Sequence, residues 1–194
     1  MGRIILSAKI AVEAEKQLRF EVGFRNWFNV RNFDHPRIHM PIKPYPEPKI
    51  MVPKFAEEQG FYTTPKRSAA MARIQGKNTK PEKLLRRALW HAGIRYRSNK
   101  RKLPGKPDIS FIKYRLVVFV DGTFWHGYDW QNRQAQIRTN RDFWIPKIER
   151  NMQRDREINY FFQSRDWTVL RFWDFEVKNE LGACVKKIMD AIEG

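Results

Sequence analysis

The stretch Leu103-Pro-Gly-Lys-Pro-Asp-Ile-Ser-Phe-Ile112, with Val117-Val-Phe-Val-Asp-Gly-Thr-Phe-Trp-His126 close behind it, decides the fold. Two short apolar runs separated by Lys113-Tyr114 read as a β-hairpin. Pairing Ile109–Ile112 antiparallel with Arg115–Val120 brings Asp108 level with Val120 and Asp121, and His126 follows just past the strand end. Hard oxygen donors then converge with an imidazole at one end of a sheet. A Mg²⁺-dependent hydrolase holds its cation and activates water in that way.

Outward from the hairpin, Thr79-Lys-Pro-Glu82 has the form of a capping box with a proline in the first turn. Leu84, Leu85, Ala88 and Leu89 continue it as an apolar helical stripe that Gly93 stops. Ile94–Arg97 reads as a first strand and Asn99–Lys106 as a basic loop. On the other side come a polar loop from Gly127 to about Arg138 and a helix over Asp142–Phe162, with Trp144, Ile148, Met152 and Ile158 facing inward. A β-rich run at Trp167–Trp173 and a helix over Val177–Ile192 complete the order. Helix, strand, hairpin, helix, strand, helix predicts an α/β domain over residues 61–194, with helices flanking a small mixed sheet. Residues 1–60 read as an extension. Ile4–Phe20 can form a helix with Leu6, Ile10, Ala14 and Leu18 on one face. The prolines recurring over Pro36–Pro53 favour an extended linker or arm.

The chain has 194 residues and a net charge of +17 at pH 7. A balance that far from neutral points to a polyanionic partner and salt-sensitive association. Hydrophobic content of 42% with seven Trp is too rich for a disordered basic tail, so a folded nucleic-acid protein is expected. The single cysteine, Cys184, allows no internal disulfide and no cysteine-rich zinc site, and fits a reducing, intracellular setting. No apolar run approaches the roughly 18 residues of a membrane helix. The amino terminus lacks a leader pattern, so secretion is not expected.

Asp108 follows Gly105 and Pro107, where a turn aspartate is common, yet an acid reappears at Asp121 in the partner strand, and the metal-site reading is preferred. Glu82 stands evenly between two roles. Position N3 of a capping box takes Glu for structural reasons, and a helix start beside the sheet end also aims a carboxylate at metal-bound water. His126 is available as a base, with an unperturbed pKa near 6.5. Phe124 and Trp125 directly follow Gly122-Thr123. They either close the core or act as wedges between base steps, and on the residues alone core packing wins narrowly.

Seven blocks in order carry a resemblance. They are Arg67–Ile74, Thr79–Glu82, Leu103–Asp108, Asp121–His126, Phe143–Ile148, Asn151–Arg156 and Trp167–Trp173. Together, over roughly residues 65–176, they resemble the very short patch repair endonuclease family, which nicks DNA beside a T·G mismatch on a restriction-endonuclease-like fold. The resemblance implies a three-layer α/β domain and a monomer working on mismatched double-stranded DNA in the bacterial cytoplasm, at the nucleoid, with mismatch-repair proteins as candidate partners. It implies that Asp108 binds Mg²⁺, helped by the backbone carbonyl of Val120. It gives Glu82 to the metal's water shell and makes His126 the base or orienter of the attacking water. Met71, Phe124 and Trp125 become intercalating residues, and Lys147 and Asn151 sit on a helix approaching the mispaired bases.

Two departures stand out. Asp121 replaces a second histidine, and an acid there can add a metal ligand or a hydrogen bond to His126. The family's structural zinc ligands correspond to Thr123, Tyr128, Trp130 and Phe175, so zinc is not expected. Tyr128 and Trp130 are expected to fill that volume against Phe175. The reaction expected is Mg²⁺-dependent hydrolysis of a DNA phosphodiester, with catalytic roles for Asp108, His126, Glu82 and Asp121. Its rivals are a restriction-type or structure-selective nuclease without mismatch preference, and a catalytically idle DNA-binding module.

Overall fold

Successive residues of a β-strand face opposite sides of the sheet, and in Leu116–Asp121 (β3) that alternation divides the domain into layers. The computed structural model describes residues 47–74, 76–98 and 103–194. Leu116 and Val118 point into one apolar core, Val117 and Phe119 into another. β3 pairs antiparallel with Ile109–Phe111 (β2), Ile109 opposite Val118, through a 3₁₀ turn at Ile112–Tyr114 that ends with Arg115 at φ 46°. It pairs in parallel with Thr168–Trp173 (β4), from Leu116 opposite Thr168 to Asp121 opposite Trp173. Arg97–Ser98 (β1) adds to β2, so the mixed sheet runs β1-β2-β3-β4.

The helices follow in chain order: Pro65–Ala72 (α1), Lys80–His91 (α2), Trp130–Arg133 (α3), Arg141–Gln163 (α4), Asp174–Asn179 (α5) and Leu181–Glu193 (α6). Leu85 and Leu89 of α2, Val177 of α5 and Cys184 and Ile188 of α6 cover one face of the sheet. Ile158 and Phe162 of α4, with Leu103, cover the other. The three-layer α/β arrangement with a small mixed sheet is therefore as expected. No described helix is long and apolar enough to cross a membrane.

Helix α2 begins and ends where its sequence places it. The Thr79 hydroxyl accepts the Glu82 N–H, and Gly93, at φ 76°, closes a Schellman turn with Ile94 N–H on Leu89 carbonyl and Gly93 N–H on Trp90 carbonyl. That turn moves the first strand. The Ile94 N–H is spent on the helix end and Tyr96 turns its hydroxyl to the Arg86 carbonyl, so the ladder begins at Arg97, not Ile94. The single final helix expected over Val177–Ile192 is two helices. The backbone leaves the helical region at Glu180 (φ −129°, ψ 40°), and Glu176 caps the first of them by accepting the Trp173 N–H at 2.7 Å. The polar loop after Gly127 contains the short α3 and a 3₁₀ turn at Gln134–Gln136.

Residues 47–60 run along α4. Gln153, fully buried, donates from Nε2 to the Pro48 carbonyl (2.7 Å) and accepts the Ile50 N–H on Oε1 (2.9 Å). Phe55 and Phe61 stack on each other, and Phe143 at the start of the same helix meets Phe55 edge to face and Phe61 at a tilt. The helix expected at Ile4–Phe20, the prolines up to residue 46 and residues 99–102 of the basic loop lie outside the described residues.

Candidate active site

Asp108 stands one residue ahead of β2, so the hairpin register decides what its carboxylate meets. With Ile109 opposite Val118, Asp108 lies beside the far end of β3, and the Val120 N–H donates to its Oδ2 at 2.8 Å. Val120 meets the acid through this N–H. Burial pushes the Asp108 carboxyl up to about 7. The hydrogen bond from Val120 opposes that shift, and the negative charges of Glu82 and Asp121 add to it. An acid crowded by two other acids is a site short of positive charge.

Glu82 is buried in the first turn of α2, where both of its readings meet. Its Oε2 accepts the Asn78 N–H and its Oε1 the Thr79 hydroxyl, each at 2.8 Å. The carboxylate thus takes the N–H of the residue before the cap and the hydroxyl of the cap, not the cap's own N–H, and still interacts with Asp108. Among the described residues no group of three or more His, Cys, Asp or Glu side chains forms a metal-holding cluster. Mg²⁺ needs none. It keeps several waters and is bound through one or two carboxylates, and the Asp108–Glu82 pair fits that requirement.

Asp121 ends β3 on the face turned to α4, and is almost fully buried. Arg171, on the neighbouring β4, grips both of its oxygens, Nε to Oδ2 at 2.6 Å and Nη2 to Oδ1 at 2.9 Å. His126 comes next along this chain of contacts. Its Nδ1 lies 2.6 Å from Asp155 Oδ2 and 3.5 Å from Asp121 Oδ1. Burial alone would raise the Asp155 carboxyl, but the His126 hydrogen bond and the Arg171 charge outweigh it and hold it below the ordinary carboxylate value. An ionised carboxylate only accepts, so Nδ1 carries a proton, and in the neutral ring Nε2 then holds the lone pair.

The loop that presents His126 is tightly wound. The His126 N–H bonds the Gly122 carbonyl and the Tyr128 N–H the Thr123 carbonyl. Gly127 has φ 68°, and a Cβ there would fall 2.3 Å from Met152 Sδ of α4. Phe124 is 46% exposed, while Trp125 is half-buried. Their rings meet edge to face at 5.1 Å, and both meet Trp144 of α4, at 5.8 and 5.9 Å. Asn151 donates its amide to the Trp125 carbonyl at 3.0 Å, bracing that pair from behind. Lys147, half-buried, lies one turn before it on α4.

A single stripe of α4 thus carries the arrangement, with Lys147, Asn151, Asp155 and Asn159 four residues apart. Met71 of α1 shares with Trp144 the lining of a cavity of about 530 Å³, whose rim includes Arg67, Arg138 and Asn140. Tyr128 meets Phe175 (4.9 Å) and Trp173 (5.1 Å) edge to face. Trp130 instead turns its indole N–H to Glu149.

The sequence reading missed Asp155 and Arg171. Asp155 looks like one charge among several in Asn151–Arg156, although its place four residues after Asn151 puts both on one helix face. Arg171 had a clearer signal. A charged residue inside Val169-Leu170-Arg171-Phe172 must find a partner if that strand is buried.

The family model for DNA mismatch endonuclease Vsr matches residues 59–132. The chain is 47% identical over 130 residues to the type II nicking enzyme V.NmeDIP of Neisseria meningitidis serogroup C, covering 67% of this chain and 88% of that one. It is 49% identical over 106 residues to the type II nicking enzyme V.HpaIIP of Haemophilus parainfluenzae, covering 55% and 75%. With the DNA mismatch endonuclease Vsr of Escherichia coli K12 the identity is 35% over 108 residues, covering 56% and 69%.

Proposed function

The chain belongs to the Vsr family of DNA mismatch endonucleases, restriction-endonuclease-like α/β enzymes, and from that premise we propose that this DNA endonuclease nicks one strand beside a T·G mispair with Mg²⁺ as cofactor. The observation that carries this reading is the convergence at one sheet end. The acid pair Asp108–Glu82 and the His126–Asp155 couple are linked through Asp121, which acts on Asp108 and approaches His126, and the Phe124–Trp125 pair immediately precedes His126 in the same loop.

In this mechanism Asp108, oriented by the Val120 N–H, would hold the metal with the help of the Val120 carbonyl, and Glu82 would order its waters. The metal, when bound, polarises the scissile phosphate and makes a coordinated water more acidic. His126 Nε2 takes the proton of the attacking water as its oxygen bonds to phosphorus, and the bond to the leaving ester oxygen breaks as that oxygen takes a proton from solvent. Asp155 keeps the ring in the tautomer that can do so. Phe124 and Trp125, with Met71 from α1, enter the stack beside the mispair, which is cheaper to unstack than a matched step. Lys147 and Asn151 lie on the helix that approaches the mispaired bases, while the basic residues along Arg138–Arg156 neutralise the DNA backbone, which positions without reading sequence. The protein works as a monomer on bacterial DNA in the cytoplasm and has no structural zinc.

That two relatives are named type II nicking enzymes favours a second reading, in which strand nicking by this chain needs no mispair. End-labelled duplexes with a T·G or a matched pair, each with Mg²⁺ or EDTA, separate the two. Mg²⁺-dependent cutting of the mispaired duplex alone supports mismatch specificity. Equal cutting of both supports the second reading, and cutting in EDTA removes the metal from the mechanism.

A further inference from the structure

Arg171 is the charged residue of an otherwise apolar or aromatic stretch of β4, and its side chain is 18% exposed. The parallel register sets it beside Phe119, with its guanidinium 4.7 Å from that ring's centre. Beyond its two contacts with Asp121, Nη2 reaches Asp155 Oδ1 at 2.8 Å and Nη1 reaches Asn159 Oδ1 at 3.2 Å. Desolvation disfavours the charged form, but the two carboxylates outweigh it and raise its pKa further above an already high value. It is a permanent cation placed between two acids, and both acids face the same imidazole nitrogen.

We infer that Arg171 is a positioning residue for His126, acting through Asp121 and Asp155. Two carboxylates compete for His126 Nδ1, at 2.6 and 3.5 Å. By occupying both oxygens of Asp121, Arg171 leaves Asp155 as the uncontested acceptor. By holding Asp155 Oδ1, it aims Oδ2 at the ring. Without that cation two adjacent carboxylates bear on one imidazole. They either share its proton in two orientations or hold protons on both nitrogens, and each result takes away the defined Nε2 lone pair. Lysine is a poor substitute, because a point charge cannot fork across two carboxylates. The same grip withdraws Asp121 from service as a metal ligand, although it ends the strand next to Val120.

The catalytic half of this inference rests on reading His126 as the base, so its first test does not use activity. Ring-nitrogen NMR of the full chain at pH 8 is expected to show a neutral His126 with the proton on Nδ1, assigned among the four histidines with a His126→Gln variant. In Arg171→Met that signature is expected to become mixed or doubly protonated, and Arg171→Lys to restore it in part. Single-turnover nicking should fall about 100-fold in Arg171→Met, the low end of what a positioned base contributes, with DNA affinity within about threefold. Arg171→Gln replaces the Met variant if circular dichroism shows that it does not fold. A folded variant with the wild-type ring signature and cleavage rate overturns the inference. Wild-type protein that fails to nick any duplex yet keeps the Nδ1 signature would instead sink the endonuclease mechanism, and the variants' spectra would still decide whether Arg171 sets the ring.

Discussion

Asp108 has its carboxyl pushed from 3.8 to about 7, first by burial and then by its acidic neighbours. Between about pH 4 and pH 7 the folded protein therefore holds a proton that the unfolded chain has released. Stability from this group is present at low pH and is lost as pH rises through that window. In EDTA, the melting temperature of wild type relative to Asp108→Asn should fall from pH 5 to pH 7.5; a flat difference would show that the acid is not so perturbed. Mg²⁺ should raise the wild-type melting temperature at pH 8 and do so less at pH 5.5, where it must displace the proton. Asp108→Asn should abolish that metal response and the nicking while DNA is still bound. At Phe124, nearly half exposed, replacement by Ala should cost no more than about 1 kcal/mol of stability yet cut nicking of the mispaired duplex at least about tenfold. Denaturant unfolding beside single-turnover cleavage checks this; a large loss of stability with unchanged cleavage would make the ring a core residue.

At the scale of elements, the winding of the His126 loop onto α4 is the most sensitive joint. Gly127→Ala places a Cβ at φ 68° and against Met152 Sδ, so roughly 1–3 kcal/mol should be lost, together with most of the activity. Adding Met152→Ala should relieve the collision but not the backbone strain, restoring only part. A Gly127→Ala protein with wild-type stability and rate would show the loop to be looser than its geometry implies. Legibility in the sequence follows the same division. The hairpin and the ends of α2 are written locally, in Pro107-Asp108, Thr79, Glu82 and Gly93, and the structure places them where local rules do. The joint between Asp121, Asp155 and Arg171 is not local. It depends on the parallel register of β3 with β4, and the 46 residues from Gly122 to Trp167 that connect them leave no short-range mark of it. The break at Glu180 escaped for a related reason, since nothing in the apolar spacing of Val177–Ile192 signals where the axis turns.

Across the whole molecule, the two cores on either side of the sheet share β3, so neither helical layer can loosen alone. Phe162→Ala in the layer beneath α4 should cost roughly 3–5 kcal/mol, measured by urea unfolding. A net charge of +17 should give DNA binding a steep salt dependence. If about six or more phosphates are neutralised, affinity should drop by about 10³-fold or more between 50 and 200 mM salt, equally for matched and mispaired duplexes. A shallow slope would mean that much of this charge lies away from the DNA. The four-residue stripe on α4 has a mechanical consequence. In the proposed mechanism Asn151, which braces the Trp125 carbonyl, serves the prying apart of the duplex, and Asp155, which holds His126, serves the attack of water; the two stand one step of roughly 6 Å apart along one helix. On that mechanism the distance from lesion to cut is gauged by helical pitch, without counting bases. A residue inserted between Asn151 and Asp155 would turn the rod by about 100° and put the two operations out of phase, whatever sequence surrounds the lesion.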